Sequence, residues 1–245
     1  VWDGEGRRRI GARLMQLLGL ELPVDWPRGR SPYPGLRPFY EEEEAVYFGR
    51  ADETGRVLEA LEACRILGAP RLQVIHGAAG AGKSSLLRAG LMPRLARRPE
   101  AWIVLPVARP GPRPLERLAR SLAAGLGSEG DWTEISNRLQ NEPCHEVLGA
   151  LAARLCVDDR RDATILLPVD QLEELLLGDP SDEAQQMAAR LIETIGDPRG
   201  GLPFRLLATA RSSMLAPLCE TGYLTADFGE QVLAPLPRQR LFEVI

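Results

Sequence analysis

A glycine-rich segment carries the clearest chemical signal in this sequence. Residues 77–84 read Gly-Ala-Ala-Gly-Ala-Gly-Lys-Ser, which is the spacing G-x-x-x-x-G-K-[ST]. The chain has 30 lysine and arginine residues, and its single lysine, Lys83, lies inside this segment. Glycines allow successive backbone N–H groups to surround a phosphate, and a lysine supplies a compact charge that reaches the β- and γ-phosphates. The segment therefore predicts a phosphate-binding loop, the P-loop.

The segments on either side of the loop fit this prediction. Residues 71–76 are short and β-prone, and residues 84–91 have apolar side chains at helical spacing, so the loop is expected to join a strand to a helix. The alternative is a glycine-rich turn without a ligand. His76 is interpreted as the last residue of a buried strand and not as a catalytic group. Ser84 is expected to bind Mg²⁺, and the residues expected to contact the nucleotide are Gly77, Ala78, Ala79, Gly80, Ala81, Gly82, Lys83, Ser84 and Ser85, the last on the α-phosphate side.

Acidic residues follow a second apolar run. Residues 163–169 are apolar without alternation, as in a strand buried on both faces, and Asp170 comes next. Because open α/β sheets bind ligands at the carboxyl ends of their strands, Asp170 is predicted to hold Mg²⁺ opposite Ser84. Glu173 and Glu174 are candidates to orient or deprotonate the attacking water. Acidic residues also favour the first turn of a helix for purely structural reasons, so both alternatives stay open.

An arginine ends a further predicted strand. Residues 204–210 are mostly apolar, and Arg211 follows them at the edge of the sheet where the P-loop is expected. A guanidinium there can sense the γ-phosphate, and an ordinary surface ion pair is the alternative. The predicted catalytic residues are Lys83, Asp170, Glu173, Glu174 and Arg211.

Alternating strand and helix patterns indicate an α/β fold with a mainly parallel sheet. Pro168 is expected to cause a bulge or an early end of pairing, because proline lacks the N–H of a sheet ladder. Residues 41–44 are four consecutive glutamates and are predicted to be solvated surface. The predicted strands are 71–76, 101–107, 163–169, 204–210 and 231–236, and the predicted helices lie near 57–66, 84–91, 115–126, 132–140 and 144–156.

Composition excludes several classes of function. The 245 residues carry a formal net charge of −4, which gives no case for a nucleic-acid-binding surface. The four cysteines lie far apart and are expected to be reduced thiols of a cytoplasmic protein. The sequence shows neither a signal peptide nor an apolar run near 18 residues, so no membrane insertion is expected.

The two ends of the chain suggest a piece of a longer protein. Val1 is not an initiator methionine, and residues 238–245 resemble the opening turns of a helix. An amphipathic helix is predicted at 7–20, and a proline- and glycine-rich linker follows it near 21–38. We therefore expect residues 1–30 to be the tail of an upstream domain with its linker, and residues 31–245 to form one nucleotide-binding domain.

Four segments together resemble the novel STAND NTPases, which are signal-transduction ATPases with numerous domains related to NACHT and NB-ARC proteins. The segments are Ser-Pro-Tyr-Pro-Gly-Leu-Arg-Pro-Phe at 31–39, Tyr-Phe-Gly-Arg at 47–50, the P-loop through residue 91, and Val-Asp-Gln-Leu-Glu-Glu-Leu at 169–175. The resemblance implies a P-loop NTPase three-layer sandwich that binds ATP or ADP with Mg²⁺. It also implies that Gly49 and Arg50 border the adenine, that Asp170 is the Walker B aspartate and that Arg211 is the sensor arginine.

The resemblance implies a switch as well. Such proteins are held closed by ADP, and a recognised ligand permits ATP binding and self-association, which activates an effector domain upstream. Many are bacterial and several act in antiphage defence, with winged-helix and sensor domains downstream. Leu172 stands where the family usually has phenylalanine, and Pro168 interrupts the strand before it.

Three functions remain open at this point. The first is a slow Mg-ATPase whose turnover resets a signalling switch, and the second is a nucleotide-held scaffold with negligible hydrolysis. A P-loop kinase is the third, although the sequence shows no clear arginine-bearing lid. The resemblance implies ATP over GTP, and the absence of a guanine-reading N-K-x-D segment in a chain whose single lysine is Lys83 adds modest support.

Overall fold

The computed structural model describes residues 31–32, 34–68, 70–127, 129–179, 182–197, 199–224 and 227–237. The helices predicted at 7–20 and 238–245 lie outside the described residues, and so does most of the predicted linker. Within the described part of the chain, none of the helices combines the length and apolar character that are needed to span a bilayer.

A five-stranded parallel sheet forms the centre of the described chain, as the sequence predicted. The order β2-β3-β4-β1-β5 places β4 between β1 and β3, so the carboxyl ends of these three strands meet at one edge. Gly77 at the end of β1 is in register with Arg211 at the end of β4. The strands are β1 (Leu72–Gly77), β2 (Trp102–Val104), β3 (Thr164–Val169), β4 (Phe204–Arg211) and β5 (Gly229–Val232).

Helices connect the strands and cover the sheet. The helix after the P-loop, α2, has three consecutive parts: Lys83–Ser85, a π-helical turn at Leu86–Leu91, and Met92–Ala96. The other α-helices are α1 (Ala51–Leu67), α3 (Pro114–Gly125), α4 (Trp132–Asn141), α5 (Cys144–Leu155), α6 (Glu183–Gly196) and α7 (Leu215–Glu220). All four cysteines are unpaired thiols.

Successive residues of one strand contribute to two different cores, which gives the expected three-layer sandwich. In β3, Leu166 packs with α1 and α2, whereas Leu167 packs with α3 to α6 on the opposite face. In β4, Leu207 belongs to the core formed with α1 and α2, and Leu206 belongs to the core on the opposite face. This explains the apolar run without alternation, because both faces of the sheet are buried. Each fully buried leucine stabilises the fold by about 1.5–3 kcal/mol relative to an exposed one.

Pro168 interrupts pairing on one side of β3 only. It stays in register with β4, but β2 ends at Val104, and the chain rejoins β3 through a single bridge between Ala108 and Val169. Any residue other than proline at position 168 would direct its N–H toward β2, and Pro168 has no N–H to donate. The predicted early end of pairing is thus confirmed, and it falls in the neighbouring strand. Asp170 remains in place because its N–H donates to the Ala108 carbonyl at 2.8 Å.

His76 belongs to the buried strand β1, which ends one residue later at Gly77, close to the predicted end. Its ring atom Nδ1 lies 3.1 Å from Ser212 Oγ, at the end of the neighbouring strand. The interpretation of His76 as a buried strand residue is confirmed.

The prediction that the four glutamates form a solvated surface holds for the exposed Glu42 and is wrong for Glu43. The four residues begin a 3₁₀-helix, Glu41–Val46, and Glu43 is only 1% exposed. Both Glu43 carboxylate oxygens accept hydrogen bonds from the Arg37 guanidinium, at 2.5 and 2.6 Å. Glu44 lies 3.3 Å from Arg94 of α2. A carboxylate can be buried when an arginine neutralises its charge through two parallel hydrogen bonds. A run of acidic residues in the sequence does not reveal such a pairing.

Candidate functional site

A cavity of about 760 Å³ lies at the carboxyl edge of the sheet. Its walls come from the P-loop, from the ends of β3 and β4, and from the strap, which we define as residues 34–40. A cavity of this size can hold a nucleotide. Of the predicted site residues, those that line it are Ala79, Gly80, Gly82, Lys83, Ser84, Ser85, Asp170, Glu173 and Arg211, and those that do not are Gly49, Arg50, Gly77, Ala78, Ala81 and Glu174.

The P-loop backbone has the geometry that a phosphate cradle needs. Gly80 and Gly82 have φ angles of 74° and 93°, in the left-handed region that favours glycine. Helix α2 begins directly after the loop at Lys83. The Lys83 Nζ donates to the carbonyls of Gly77 and Ala78, at 3.1 and 2.8 Å. The loop therefore brings the start of a helix and a lysine to the same wall of the cavity.

The Lys83 ammonium is buried beside charges of both signs. Burial lowers its pKa, the neighbouring Glu173 and Asp170 carboxylates raise it, and Arg211 lowers it. A charged ammonium in such a place costs free energy that an anionic ligand would offset. Its flexible stem allows it to exchange the carbonyls of the loop for phosphate oxygens.

Asp170 is held by hydroxyl groups from two other segments. Its Oδ1 accepts hydrogen bonds from Ser84 Oγ at 2.8 Å and from Thr209 Oγ1 at 2.7 Å. The N–H of Gln171 donates to the same Thr209 oxygen at 2.8 Å. Gln171 has a φ of 60°, which costs a non-glycine residue about 1–3 kcal/mol and is typical of functional sites. Thr209 thus fixes the end of β3 against β4.

Ser84 and Asp170 together fit Mg²⁺. A hydroxyl oxygen and a carboxylate oxygen lie 2.8 Å apart, and both are the hard oxygen ligands that this ion prefers. Among the residues that the structure describes, no group of three or more His, Cys, Asp or Glu side chains could hold a metal ion. Water molecules and phosphate oxygens would complete the coordination, as is usual for Mg²⁺.

Glu173 lies in the cavity and is 9% exposed. Its Oε1 lies 3.4 Å from Arg211 Nε, and its buried Oε2 has no hydrogen-bond partner in the described part of the chain. A buried carboxylate oxygen without a donor is suited to accept a hydrogen bond from a ligand or a water. Arg211 itself lines the cavity at the end of β4 with a largely exposed side chain.

Glu174 takes part in a different set of contacts. Its carboxylate accepts hydrogen bonds from Arg109 Nε at 2.8 Å and from the Gly111 N–H at 3.0 Å. It lines a second cavity, of about 640 Å³, beside α3. These contacts fasten the connection between β2 and α3, and they favour a structural role for Glu174.

Arg50 contacts the P-loop but does not line the cavity. It is 6% exposed, its Nη2 donates to the Ala81 carbonyl at 2.8 Å, and its Nη1 pairs with Glu53 at 3.0 Å. Gly49 precedes it with a φ of 79°. Contact of Gly49 and Arg50 with the adenine therefore stays a prediction, whereas the contact of Arg50 with the loop is direct.

The strap reaches the P-loop through its backbone. The N–H of Phe39 donates to Ser85 Oγ at 3.2 Å, and the Tyr40 ring lies next to the Arg88 guanidinium, 5.2 Å from centroid to carbon. Because Ser85 is the residue expected near the α-phosphate, we expect the strap to lie close to the path from phosphate to base.

Two residues of this site were missed by the sequence reasoning. Thr209 is a hydroxyl residue between two alanines of the buried strand β4, and that interruption of the apolar pattern was a usable signal. Arg88 lies four residues after Ser84, a spacing that puts two side chains on one face of a helix. Neither signal identifies Asp170 as the common neighbour, because that contact depends on strand order.

Comparison with protein families gives one match. The family described as Novel STAND NTPase 1 matches residues 32–245, which is most of the chain. No curated protein matches the sequence.

Three solved structures resemble parts of this chain at low sequence identity. The Aeropyrum pernix ORC2 protein, solved in ADPNP-ADP complexes, is 16% identical, with a TM-score of 0.54 over 86% of this chain and 52% of that chain. A chain of Drosophila ORC bound to DNA is 17% identical, with a TM-score of 0.43 over 75% of this chain and 46% of that one. A chain of the E. coli MS115-1 HORMA:CdnC:Trip13 complex is 17% identical, with a TM-score of 0.43 over 81% of this chain and 67% of that one. The chain thus spans about half the length of ORC2, and the likeness shows a common fold.

Proposed function

The chain belongs to the novel STAND NTPase family, and from this premise we propose that it binds ATP and ADP with Mg²⁺, hydrolyses ATP slowly and acts as an oligomerisation switch. The observation that carries the proposal is the contact between Ser84 and Asp170 beside Lys83, inside a cavity of nucleotide size. These side chains combine a cation for phosphate with two oxygen ligands for a divalent ion.

Each side chain has a separate task in this proposal. The P-loop N–H groups and Lys83 bind the β- and γ-phosphates, while Ser84 and Asp170 hold Mg²⁺, which would neutralise charge that develops on the phosphates. Arg211 senses the γ-phosphate from the end of β4. Thr209 keeps the Asp170 carboxylate turned toward the loop.

Hydrolysis requires a group that activates water, and Glu173 is the candidate that lies in the cavity. In this step Glu173 accepts a proton from the attacking water, whose oxygen forms a bond to the γ-phosphorus as the bond to the β-phosphate oxygen breaks. The products are ADP and phosphate. The unpartnered Glu173 Oε2 supports this role, and the contacts of Glu174 with Arg109 and Gly111 count against an equal role for Glu174.

A nucleotide-held scaffold with negligible hydrolysis is the second candidate function. The 3.4 Å contact between Glu173 and Arg211 favours it, because a carboxylate held by a guanidinium is less free to turn toward an attacking water. Both candidates share the P-loop and Asp170 and differ only in turnover.

The family match supports a proposal for the biological setting. We place the chain in the cytoplasm of a bacterium, as the nucleotide-binding domain, residues 31–245, of a signalling or antiphage-defence protein. Residues 1–30 would connect it to an upstream effector domain, and a winged-helix and sensor region would follow. Self-association on activation would transmit the nucleotide state to the effector.

One experiment separates the two candidates. The purified chain is denatured, any released nucleotide is identified by chromatography, and conversion of ATP by the intact chain with Mg²⁺ is followed in parallel, with Lys83→Ala as the control. Retained ADP with little turnover supports the scaffold or locked switch, and steady turnover that Lys83→Ala abolishes supports the ATPase. A wild-type chain that neither retains nor binds nucleotide would contradict the proposed function.

A further inference from the structure

Arg88 lies between the Asp170 carboxylate and the strap side of the cavity. Its Nε is 3.6 Å from Asp170 Oδ2, which is too long for a hydrogen bond, and this buried atom has no hydrogen-bond partner in the described chain. On the other side, its guanidinium carbon lies 5.2 Å from the centre of the Tyr40 ring, and its Nη1 lies 3.7 Å from Glu41 Oε1. Arg88 therefore contacts the candidate Mg²⁺ ligand and the end of the strap at once.

The two oxygens of the Asp170 carboxylate have different neighbours. Oδ1 accepts both hydroxyl hydrogen bonds, from Ser84 and Thr209, whereas Oδ2 faces the Arg88 guanidinium. The hydroxyl groups are sufficient to orient the carboxylate. Arg88 adds a positive charge at close range and no hydrogen bond.

The helix around Arg88 is irregular. Residues Leu86–Leu91 form a π-helical turn inside α2, and such turns are frequent at functional sites. Arg88 lies within this turn, and its side chain is 16% exposed. This geometry is independent of the hydrogen bonds that define the P-loop.

We propose that Arg88 is a positioning residue that sets the Mg²⁺ affinity of the site and couples Mg²⁺ binding to the strap; the proposal rests on the function proposed above. A guanidinium beside a carboxylate repels a divalent cation that binds the same carboxylate. Mg²⁺ binding therefore favours a guanidinium that is drawn away from Asp170, toward Tyr40 and Glu41. Mg²⁺ binding and the contacts of Arg88 with Tyr40 and Glu41 are thermodynamically linked. The contacts therefore strengthen Mg²⁺ binding by the same factor by which Mg²⁺ strengthens the contacts.

Charge-removing and charge-retaining variants test the first half of this proposal. Binding of a fluorescent ADP analogue is measured in EDTA and then during titration with Mg²⁺, and thermal unfolding with Mg²⁺ alone gives a second readout. Arg88→Gln is expected to lower the Mg²⁺ concentration at half effect by about three- to tenfold, from the loss of one repelling charge. Arg88→Lys keeps the charge and is expected to stay near the wild type. Arg97→Gln is the matched control, because Arg97, the residue directly after α2, pairs with Glu44 in the same acidic 3₁₀-helix.

A double-mutant cycle tests the coupling to the strap. Glu41→Gln removes the counter-charge directly after the strap, so it is expected to raise the Mg²⁺ midpoint by about two- to threefold in the wild-type background. In the Arg88→Gln background it is expected to change nothing. Glu41→Gln leaves the core intact, so it keeps the proposal testable even where Arg88→Gln does not fold.

The outcomes distinguish this proposal from the proposed function. An Mg²⁺ midpoint that is the same in Arg88→Gln and in the wild type, with Mg²⁺-dependent binding in both, overturns the role of Arg88 alone. Loss of nucleotide binding by Arg88→Gln in EDTA also overturns it, because Arg88 would then contact the nucleotide directly. Absence of nucleotide binding by the wild type overturns both.

Discussion

The Ser84 hydroxyl donates a 2.8 Å hydrogen bond to the Asp170 carboxylate, which joins the helix after the P-loop to the end of β3. The strands that precede these two residues, β1 and β3, lie on either side of β4, and Thr209 of β4 donates to the same carboxylate oxygen. Three segments that are distant in sequence therefore converge on one oxygen atom. The following predictions test what this convergence does.

Thr209→Val is expected to weaken both the fold and Mg²⁺-dependent nucleotide binding. Valine keeps the shape of the side chain but loses the donor to Asp170 and the acceptor for the Gln171 N–H. Buried groups left without a partner typically cost about 1–3 kcal/mol, which urea denaturation would measure. Thr209→Ser retains the hydroxyl and is the control. A valine variant as stable as the wild type would show that these hydrogen bonds are not needed.

Lys83→Ala is expected to reduce nucleotide affinity by about 10- to 150-fold, because a charge-assisted contact with phosphate is worth roughly 1.5–3 kcal/mol. Titration with a fluorescent nucleotide measures the change. Arg113→Ala is a suitable control, since it removes an exposed cation at the start of α3. Equal affinity in Lys83→Ala and the wild type would refute the assignment of the P-loop.

Glu173→Gln and Glu174→Gln are expected to differ. Glu173→Gln should retain ATP binding and lose turnover by roughly 10²- to 10⁴-fold, the usual contribution of a general base. Glu174→Gln should leave turnover nearly unchanged, because its carboxylate contacts Arg109 and Gly111. Phosphate release under saturating ATP distinguishes them. Normal turnover in the double variant would remove both residues from the mechanism.

The stability of the nucleotide-free chain is expected to depend on pH through Lys83. Burial lowers the pKa of Lys83 in the folded chain below its ordinary value of 10.5, so the unfolded chain binds more protons between the two values. The contribution of Lys83 to stability therefore rises with pH across this interval. Compared with Lys83→Met, the wild type should be less stable near neutral pH, and the difference should shrink toward pH 10.5. Urea denaturation at several pH values gives the answer, and a constant difference would contradict the burial of a charged lysine.

Local patterns were sufficient for much of the fold and for part of the site. The P-loop depends on residues within one short segment, and Asp170 follows an apolar run, so both were predictable from spacing. The position of β4 between β1 and β3 was not, because strand order depends on packing across the whole sheet. For the same reason Thr209 and Arg88 could not be connected to Asp170 in advance. Glu43 was mistaken for surface because its pairing with Arg37 depends on the path of the chain.

The π-helical turn Leu86–Leu91 lets α2 hold one more residue than a regular α-helix over the same path. Its hydrogen bonds join residues five apart instead of four, so the additional residue does not rotate the part of the helix that follows. Deletion of one residue from this turn is therefore expected to give a regular α-helix in which Arg94 still faces Glu44. Insertion of a residue between the turn and Arg94 would instead rotate Arg94 by about 100° and separate it from Glu44.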